Sequence, residues 1–330
     1  MILVDDQIPY LAQALSIVDK VIPCNSETLT RDYLRRTRAT AIFVRSVTSV
    51  DASLLSGTDV SFVGTPTAGI DHLDLEYLES RNIRFASAPG CNANAVAEYV
   101  MDRLSEMHIP NDATIGIVGF GHVGSLVARY ARIKGMSVLV NDPPLVASGF
   151  VFPRWCTHAD LADLMKRSNV ITLHVPYTDE GPFPTKDLIT AGLLSSCLPN
   201  ACVINTARGG ILDERPLADL VRSGHLSAVL DVFANEPAVD AYVTERVTFR
   251  TPHIAGYTHQ AKRNGARVIF EAYVGKPFPE DQEPTSNAHD ASPIMGNSLL
   301  ENFEELRRLW PLRSEQRTPP TWDECDALDS

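Results

Sequence analysis

No Cys-x-x-Cys pair occurs in the sequence, and none of its six cysteines (Cys24, Cys91, Cys156, Cys197, Cys202, Cys325) has a histidine nearby at zinc spacing. A metal site is therefore not expected, and reduced structural thiols are the simple reading. No apolar run approaches the roughly 18 residues of a membrane span, and the opening Met-Ile-Leu-Val-Asp-Asp-Gln lacks the regions of a signal peptide. These absences remove the membrane as a partner and lead us to expect a cytoplasmic protein. Lys and Arg form no run of five, and 29 basic against 41 acidic residues leave a net charge of -12. Nucleic acid is thereby excluded as a partner, because its phosphates need a basic footprint. With 44% apolar and 21% charged residues over a length of 330, the chain can bury proper cores, in about two domains.

Short β-branched runs recur at Ile2-Val4, Lys20-Ile22, Ala41-Val44, Ser61-Gly64 and Ile83-Ala86, with helical spacing between them at Leu11-Leu15 and Leu73-Leu78. A second series follows at Ala113-Val118, Ser137-Asn141, Val170-His174, Cys202-Asn205, Ser227-Asp231 and Val247-Phe249, with helical stretches at Val123-Lys134, Leu161-Arg167 and Leu217-Ser223. Strand alternating with helix implies a parallel sheet, so the fold class is α/β with two doubly wound domains. The first is expected over residues 1–95, completed by 253–275, and the second over 96–252. The amphipathic segment Asn94-Met107 bridges them. Residues 276–330 hold 12 acidic and 5 basic side chains and seven of the 22 prolines. They read as an acidic, mobile tail with one helix, Leu299-Leu309, whose apolar stripe could dock on the body or on another subunit.

The strand pattern Ala113-Val118 runs directly into Gly119-Phe-Gly121-His-Val-Gly124, and a helix pattern begins there. Alone, Gly-x-Gly-x-x-Gly is weak; at a strand-to-helix turn it is the dinucleotide fingerprint. Gly119 permits the turn, Gly121 admits the pyrophosphate to the backbone, and Gly124 lets helix and strand pack closely. Asp142 ends the next strand 18 residues past Gly124, placed for the adenosine ribose hydroxyls, and no Arg or Lys follows before Arg154. The cofactor expected is NAD rather than NADP.

Ligands of open α/β sheets bind beyond the carboxyl ends of the strands. The polar residues there are Arg45, Ser46 and Thr48, then Thr65 and Thr67, in the first domain, and Arg208, Asp231, Glu236 and His253 in the second. Together with NAD they would line a cleft suited to oxidising a 2-hydroxy acid. His253 removes the hydroxyl proton, Glu236 orients the ring and steadies the imidazolium, and Arg208 holds the substrate carboxylate. Each residue singly is ordinary; a His after Pro, a loop Arg and a Glu-Pro turn are common structural features. Their joint placement after successive strands carries the reading.

The fingerprint with Asp142, the Asn205-Thr-Ala-Arg208-Gly-Gly stretch, the Asp231-Val-Phe-Ala-Asn-Glu236-Pro turn and the Pro252-His253 pair resemble the D-isomer-specific 2-hydroxyacid dehydrogenases. Dispersed motifs narrow the resemblance over residues 1 to about 275: Val44-Arg45-Ser46-Val-Thr48, Phe62-Val-Gly-Thr-Pro-Thr67-Ala-Gly, Ala88-Pro-Gly-Cys91-Asn-Ala, His253-Ile-Ala-Gly256-Tyr257-Thr and Phe270-Glu-Ala-Tyr273. They are similar to the branch that oxidises a phosphorylated four-carbon 2-hydroxy acid in vitamin B6 biosynthesis. The resemblance implies a flavodoxin-like substrate domain, a Rossmann NAD domain and a homodimer. It puts Arg208, Glu236 and His253 on catalytic positions and Ser46, Thr67 and Tyr257 on substrate contacts. Asp142, Asp231 and Gly256 fall on cofactor contacts, as does Val175, which stands where the family has a threonine. Arg45 is a candidate phosphate ligand, with a structural ion pair as its equal rival. Two departures stand out: the acidic tail replaces the family's usual carboxyl-terminal dimerisation domain, and the bridge carries Asp102, Arg103 and Glu106 where an apolar helix is usual. Two other functions stay open, a dehydrogenase for another D-2-hydroxy acid and a non-catalytic NAD-binding sensor.

Overall fold

The computed structural model describes residues 1–280 and 312–329. Two units emerge from the chain's internal packing, and the first takes Met1–Asn92 together with residues 257–280 and Leu312–Ser314. Its strands are β1 (Ile2–Asp5), β2 (Val21–Cys24), β3 (Ala41–Phe43), β4 (Phe62–Gly64) and β5 (Arg84–Ala86), all parallel in the order β2-β1-β3-β4-β5. This is the flavodoxin-like order. Between them run α1 (Leu11–Leu15), α2 (Arg31–Thr37), α3 (Ala52–Leu55) and α4 (Leu75–Ser80). The expected start of α4 at Leu73 moves to Leu75 because the Asp74 side chain caps the helix by accepting the Tyr77 N–H. Strand side chains alternate between faces: Leu3, Ile42 and Val63 pack on Leu34, Leu54 and Leu78 of three helices, while Ile2, Val4, Phe43 and Phe62 belong to the opposite core.

The second unit takes Ala93–Gly256 with residues 315–329. It opens on the bridging helix α5 (Ala93–Glu106) and continues β6 (Thr114–Val118), α6 (His122–Lys134), β7 (Ser137–Asn141), α7 (Pro143–Ala147), β8 (Cys156–His158), α8 (Leu161–Arg167) and β9 (Val170–Leu173). Then come α9 (Ala191–Ser195), β10 (Ala201–Asn205), α10 (Glu214–Arg222), β11 (Leu226–Leu230), α11 (Ala241–Thr244) and β12 (Phe249–Arg250). All seven strands are parallel in the order β12-β11-β10-β9-β6-β7-β8. The order reverses between β6 and β9, the switch point at which a Rossmann sheet takes its dinucleotide. The near-continuous apolar runs of β9 and β10 follow from burial on both faces. The short edge strand β8 has no counterpart in the sequence reading, because Cys-Thr-His shows no β-branched run.

After Gly256 the chain returns to the first unit as α12 (His259–Val274), capped by Thr258 and ended by Gly275 in the left-handed conformation. Its Ala266, Ile269 and Phe270 cover the second face of the five-stranded sheet.

The far end of the chain differs from expectation. The helix expected at Leu299-Leu309 lies outside the described residues. The segment after it was expected to be mobile, yet residues 315–329 pack on the second unit through α13 (Trp322–Asp326). A capping box joins Thr321 and Glu324, Cys325 is wholly buried, and the Trp155 Nε1–H donates to Asp326 at 2.9 Å. The polar bridge explains this placement. Glu98, 2% exposed, accepts the Gln316 N–H at 3.0 Å and also the Arg317 N–H, and Asp102 pairs with the Arg317 guanidinium at 2.7 Å. Arg103 pairs with Glu106 at 2.6 Å and lies over the Phe249 ring, 4.2 Å from its centre. Among the described residues no helix is long and apolar enough to cross a membrane, and no group of three or more His, Cys, Asp or Glu is placed to hold a metal ion.

Candidate active site

The dinucleotide turn sits between β6 and α6. Gly119 has φ of 91°, and a methyl group there would lie 2.7 Å from the His174 carbonyl oxygen and 2.8 Å from Val175 Cγ1. A methyl at Gly124 would meet the Gly119 carbonyl oxygen at 1.9 Å, so only glycine lets α6 seat on the strand. Beside Gly121, by contrast, a methyl would meet nothing within 4 Å, which leaves open the approach a pyrophosphate needs. The turn is tied to the next strand by Asp142: Oδ2 accepts the Phe120 N–H at 2.7 Å and Oδ1 caps α7 through the Leu145 N–H at 3.0 Å. The clearance at Gly121 and the Asp142 carboxylate at the end of β7 fit a dinucleotide. Val175 lines the same switch point, next to His174, whose Nε2 meets Thr172 Oγ1 at 2.9 Å. Burial pushes the His174 pKa down to about 3, so this imidazole stays neutral and belongs to the packing.

Arg208, Glu236 and His253 stand on the turns after β10, β11 and β12. Asn205, fully buried, shapes the first turn by accepting the Ala207 N–H at 3.0 Å and donating to the Arg208 carbonyl at 2.8 Å. A methyl at Gly209 would come within 2.0 Å of the Phe233 carbonyl, so the Arg208 turn lies against the Glu236 turn with no room for a side chain. Glu236 Oε1 accepts the Phe233 N–H at 2.8 Å, and its Oε2 is 2.8 Å from His253 Nδ1. That contact favours one tautomer: with Nδ1–H donating to the carboxylate, the second ring nitrogen, Nε2, is left without a proton and able to accept one. His253 has φ of 57°, a left-handed conformation uncommon outside glycine, held by N–H donation to the Asp231 and Thr251 carbonyls at 2.7 and 3.0 Å.

Asp231 is 1% exposed and serves the same loop. It accepts the Thr251 hydroxyl at 2.5 Å and the Ile254 and Ala255 N–H groups at 2.8 and 2.9 Å. Burial raises its pKa, opposed by the His253 charge and these hydrogen bonds. Gly256 is the last residue of this unit and Tyr257 the first of the other after the return.

In the first unit, the remaining candidates lie after β3 and β4 and at the start of α12. Arg45 Nε donates to Asp5 Oδ1 at 2.9 Å, so the ion pair weighed for it exists, with a partner that is 1% exposed. Ser46 is exposed beside it. Thr67 Oγ1 donates to the Gly69 carbonyl at 2.7 Å and meets Thr65 Oγ1 at 2.9 Å, and Thr65 Oγ1 in turn lies 3.0 Å from His72 Nε2. Lys262 Nζ stands 4.2 Å from the centre of the Tyr257 ring.

Residues 93–255 match the family described as D-isomer specific 2-hydroxyacid dehydrogenase, NAD binding domain. An erythronate-4-phosphate dehydrogenase of Hahella chejuensis is 38% identical over 287 residues, which cover 84% of this chain and 73% of that one. The chain belongs to the erythronate-4-phosphate dehydrogenases, within the D-isomer-specific 2-hydroxyacid dehydrogenase family. The enzyme of the same name from Coxiella burnetii is 35% identical, with 95% of this chain and 93% of that one covered. Among solved structures, the D-lactate dehydrogenase of Aquifex aeolicus complexed with NAD and lactic acid superposes with a TM-score of 0.66 at 25% identity, over 83% of this chain and 96% of that one. Both sheets thus have the arrangement expected from the resemblance, and this erythronate-4-phosphate dehydrogenase family member is an NAD-binding oxidoreductase.

Sequence reasoning missed Asp5, Asn205, Glu214 and Thr251 at these sites. Asp5 and Thr251 could have been found, since each lies at the carboxyl end of a β-branched run, where the other candidates were sought. Asn205 stands out in the sequence only as part of a motif, and the buried contact of Glu214 is with Ala234, 20 residues away.

Proposed function

We propose that the protein oxidises 4-phospho-D-erythronate at C2 to 2-oxo-3-hydroxy-4-phosphobutanoate, a step of pyridoxal phosphate biosynthesis. The observation that carries this reading is the 2.8 Å contact of Glu236 with His253 Nδ1 on turns of the NAD-binding unit. His253 Nε2 takes the C2 hydroxyl proton. Glu236, held by the Phe233 N–H, stabilises the imidazolium that results. Held by the Gly119–Gly124 turn and Asp142, NAD would supply the acceptor for a hydride from C2. Arg208 binds the substrate carboxylate with a planar fork that lysine lacks. Gly119, Gly121, Gly124, Asp142, Val175, Asp231 and Gly256 form the cofactor side. Ser46, Thr67 and Tyr257 contact the substrate, and Arg45 meets its phosphate.

The test is turnover of NAD by purified protein with 4-phospho-D-erythronate, followed at the reduced nicotinamide band, beside 3-phosphoglycerate, glycerate and lactate. A 2-oxo acid acceptor in parallel reactions reveals turnover if NADH stays bound. Turnover confined to phosphoerythronate is the expected result. Preference for another acid would move the assignment to a different D-2-hydroxy acid, and NAD binding without turnover on any acid would leave a sensor.

A further inference from the structure

One buried carboxyl group beside the site has no part in the chemistry above. Glu214 opens α10, is 8% exposed, and its Oε1 accepts the Ala234 N–H at 2.6 Å. Ala234 follows Phe233, whose N–H goes to Glu236 at 2.8 Å. Two consecutive backbone donors of one turn therefore end on two carboxylates, one supplied by the turn and one by α10. Gly209 presses on the same Phe233-Ala234 peptide, so the turn is held between the Arg208 turn and the start of α10. We propose that Glu214 is a positioning residue for the acid–base pair, holding the Glu236 turn in place and setting the charge beside it. This rests on the dehydrogenase reading for its kinetic consequence.

The electrostatic surroundings support it. Burial chiefly, with the Glu236 and Asp240 carboxylates adding, pushes the Glu214 pKa up to about 7 against the opposing Ala234 hydrogen bond. Asp240 is itself paired with Arg215 at 2.7 Å, and His253 faces Glu236 and Asp231. Glu214 thus gains or loses its charge near neutrality, where an imidazole base works. An added negative charge next to the Glu236–His253 pair favours the imidazolium. Replacement by glutamine keeps an oxygen for the Ala234 N–H and removes the charge, while alanine removes both.

The experiment compares wild type, Glu214→Gln and Glu214→Ala in kcat and KM across pH 5 to 9, with the His253 imidazole titration followed by NMR in the NAD-free proteins and assigned with His253→Ala. Glu214→Ala is expected to lower kcat about tenfold or more while both KM values stay within about twofold. Glu214→Gln is expected to keep the plateau kcat and to move the acid limb and the His253 titration to lower pH by about half a unit. Variants that lose only thermal stability, with kcat and the His253 titration unmoved, would overturn the proposal. Should alanine prevent folding, glutamine alone decides through the titration. Should the wild type turn over no hydroxy acid, the dehydrogenase reading fails, and the NMR titration still reports whether Glu214 acts on His253.

Discussion

The polar ends of the two sheets hold their charges differently. In the seven-stranded unit, the carboxylates Asp142, Asp231 and Glu236 each accept at least one backbone N–H, and His253 is anchored through both its side chain and its own N–H. In the five-stranded unit, the corresponding groups are threonine hydroxyls linked to one another and an arginine tied through Nε to Asp5. Groups whose charge changes during reaction gain from fixed dipoles already aimed at them, because nothing then has to reorganise. Groups that only recognise a substrate need donors left over, and Arg45 commits one donor of a five-donor fork to Asp5. Under the proposed function, the difference separates a reacting end from a reading end.

The largest expected effect breaks the reacting end. His253→Ala should lower turnover by roughly a thousandfold, within the span that general-base removal covers, with NADH affinity measured by reduced-nicotinamide fluorescence unchanged. Loss of NAD binding in step with activity would mean the loop is structural. Next comes Arg208→Lys, which keeps the charge and loses the fork. We expect kcat/KM to fall about a hundredfold, and retention within a few-fold would show that charge alone suffices there. The reading end should respond in KM instead. Arg45→Ala is expected to raise KM for the phosphorylated substrate about tenfold with kcat nearly unchanged, and to leave an unphosphorylated hydroxy acid unaffected. An equal loss on both substrates would make Arg45 the structural partner of Asp5 and nothing more.

Much of this is legible in the sequence. The inner strands are, because a parallel sheet buried on both faces demands apolar β-branched runs, and β1, β3, β4, β6, β7 and β9 through β11 carry them, whereas β5 at the sheet edge is Arg-Phe-Ala and mostly exposed. The fingerprint is, because three glycines at a strand-to-helix turn answer three separate steric needs. Arg208, Glu236 and His253 could be picked out because they follow successive strands of one sheet. What escaped notice depends on pairs distant in sequence. Asp102 looked misplaced on a bridging helix until its partner, the Arg317 side chain, came into view more than 200 residues on, beside the residue 316 and 317 N–H groups that Glu98 accepts. The acidic, proline-containing end read as mobile for the same reason: its composition is that of a loose chain, and the buried Glu98 carboxylate on α5, the Trp155–Asp326 hydrogen bond and the burial of Cys325 make a docked segment of it. Glu214 passed for an ordinary first-turn acid, since nothing local signals that its side chain turns inward to Ala234.

The docked end allows the smallest and most discriminating test of whether the reacting end depends on remote support. Trp322 of α13 lies 6.2 Å from the Phe120 ring and 5.9 Å from the Trp155 ring, centre to centre, with the Arg129 guanidinium 4.7 Å from its own ring centre. Phe120 stands between the first two glycines of the fingerprint and gives its N–H to Asp142. Removing the indole in Trp322→Ala opens space beside Phe120 and should cost about 1–2 kcal/mol of stability for this partly exposed side chain, a fall of a few degrees in Tm. If the contact also steadies the turn, the Kd for NAD should rise about threefold while KM for the hydroxy acid stays put, and Trp322→Phe should recover most of the loss. A lower Tm with unchanged NAD affinity would confine α13 to holding the unit together. The dinucleotide turn would then owe its shape to its glycines and Asp142 alone, and the contrast between the two ends would rest on local anchoring.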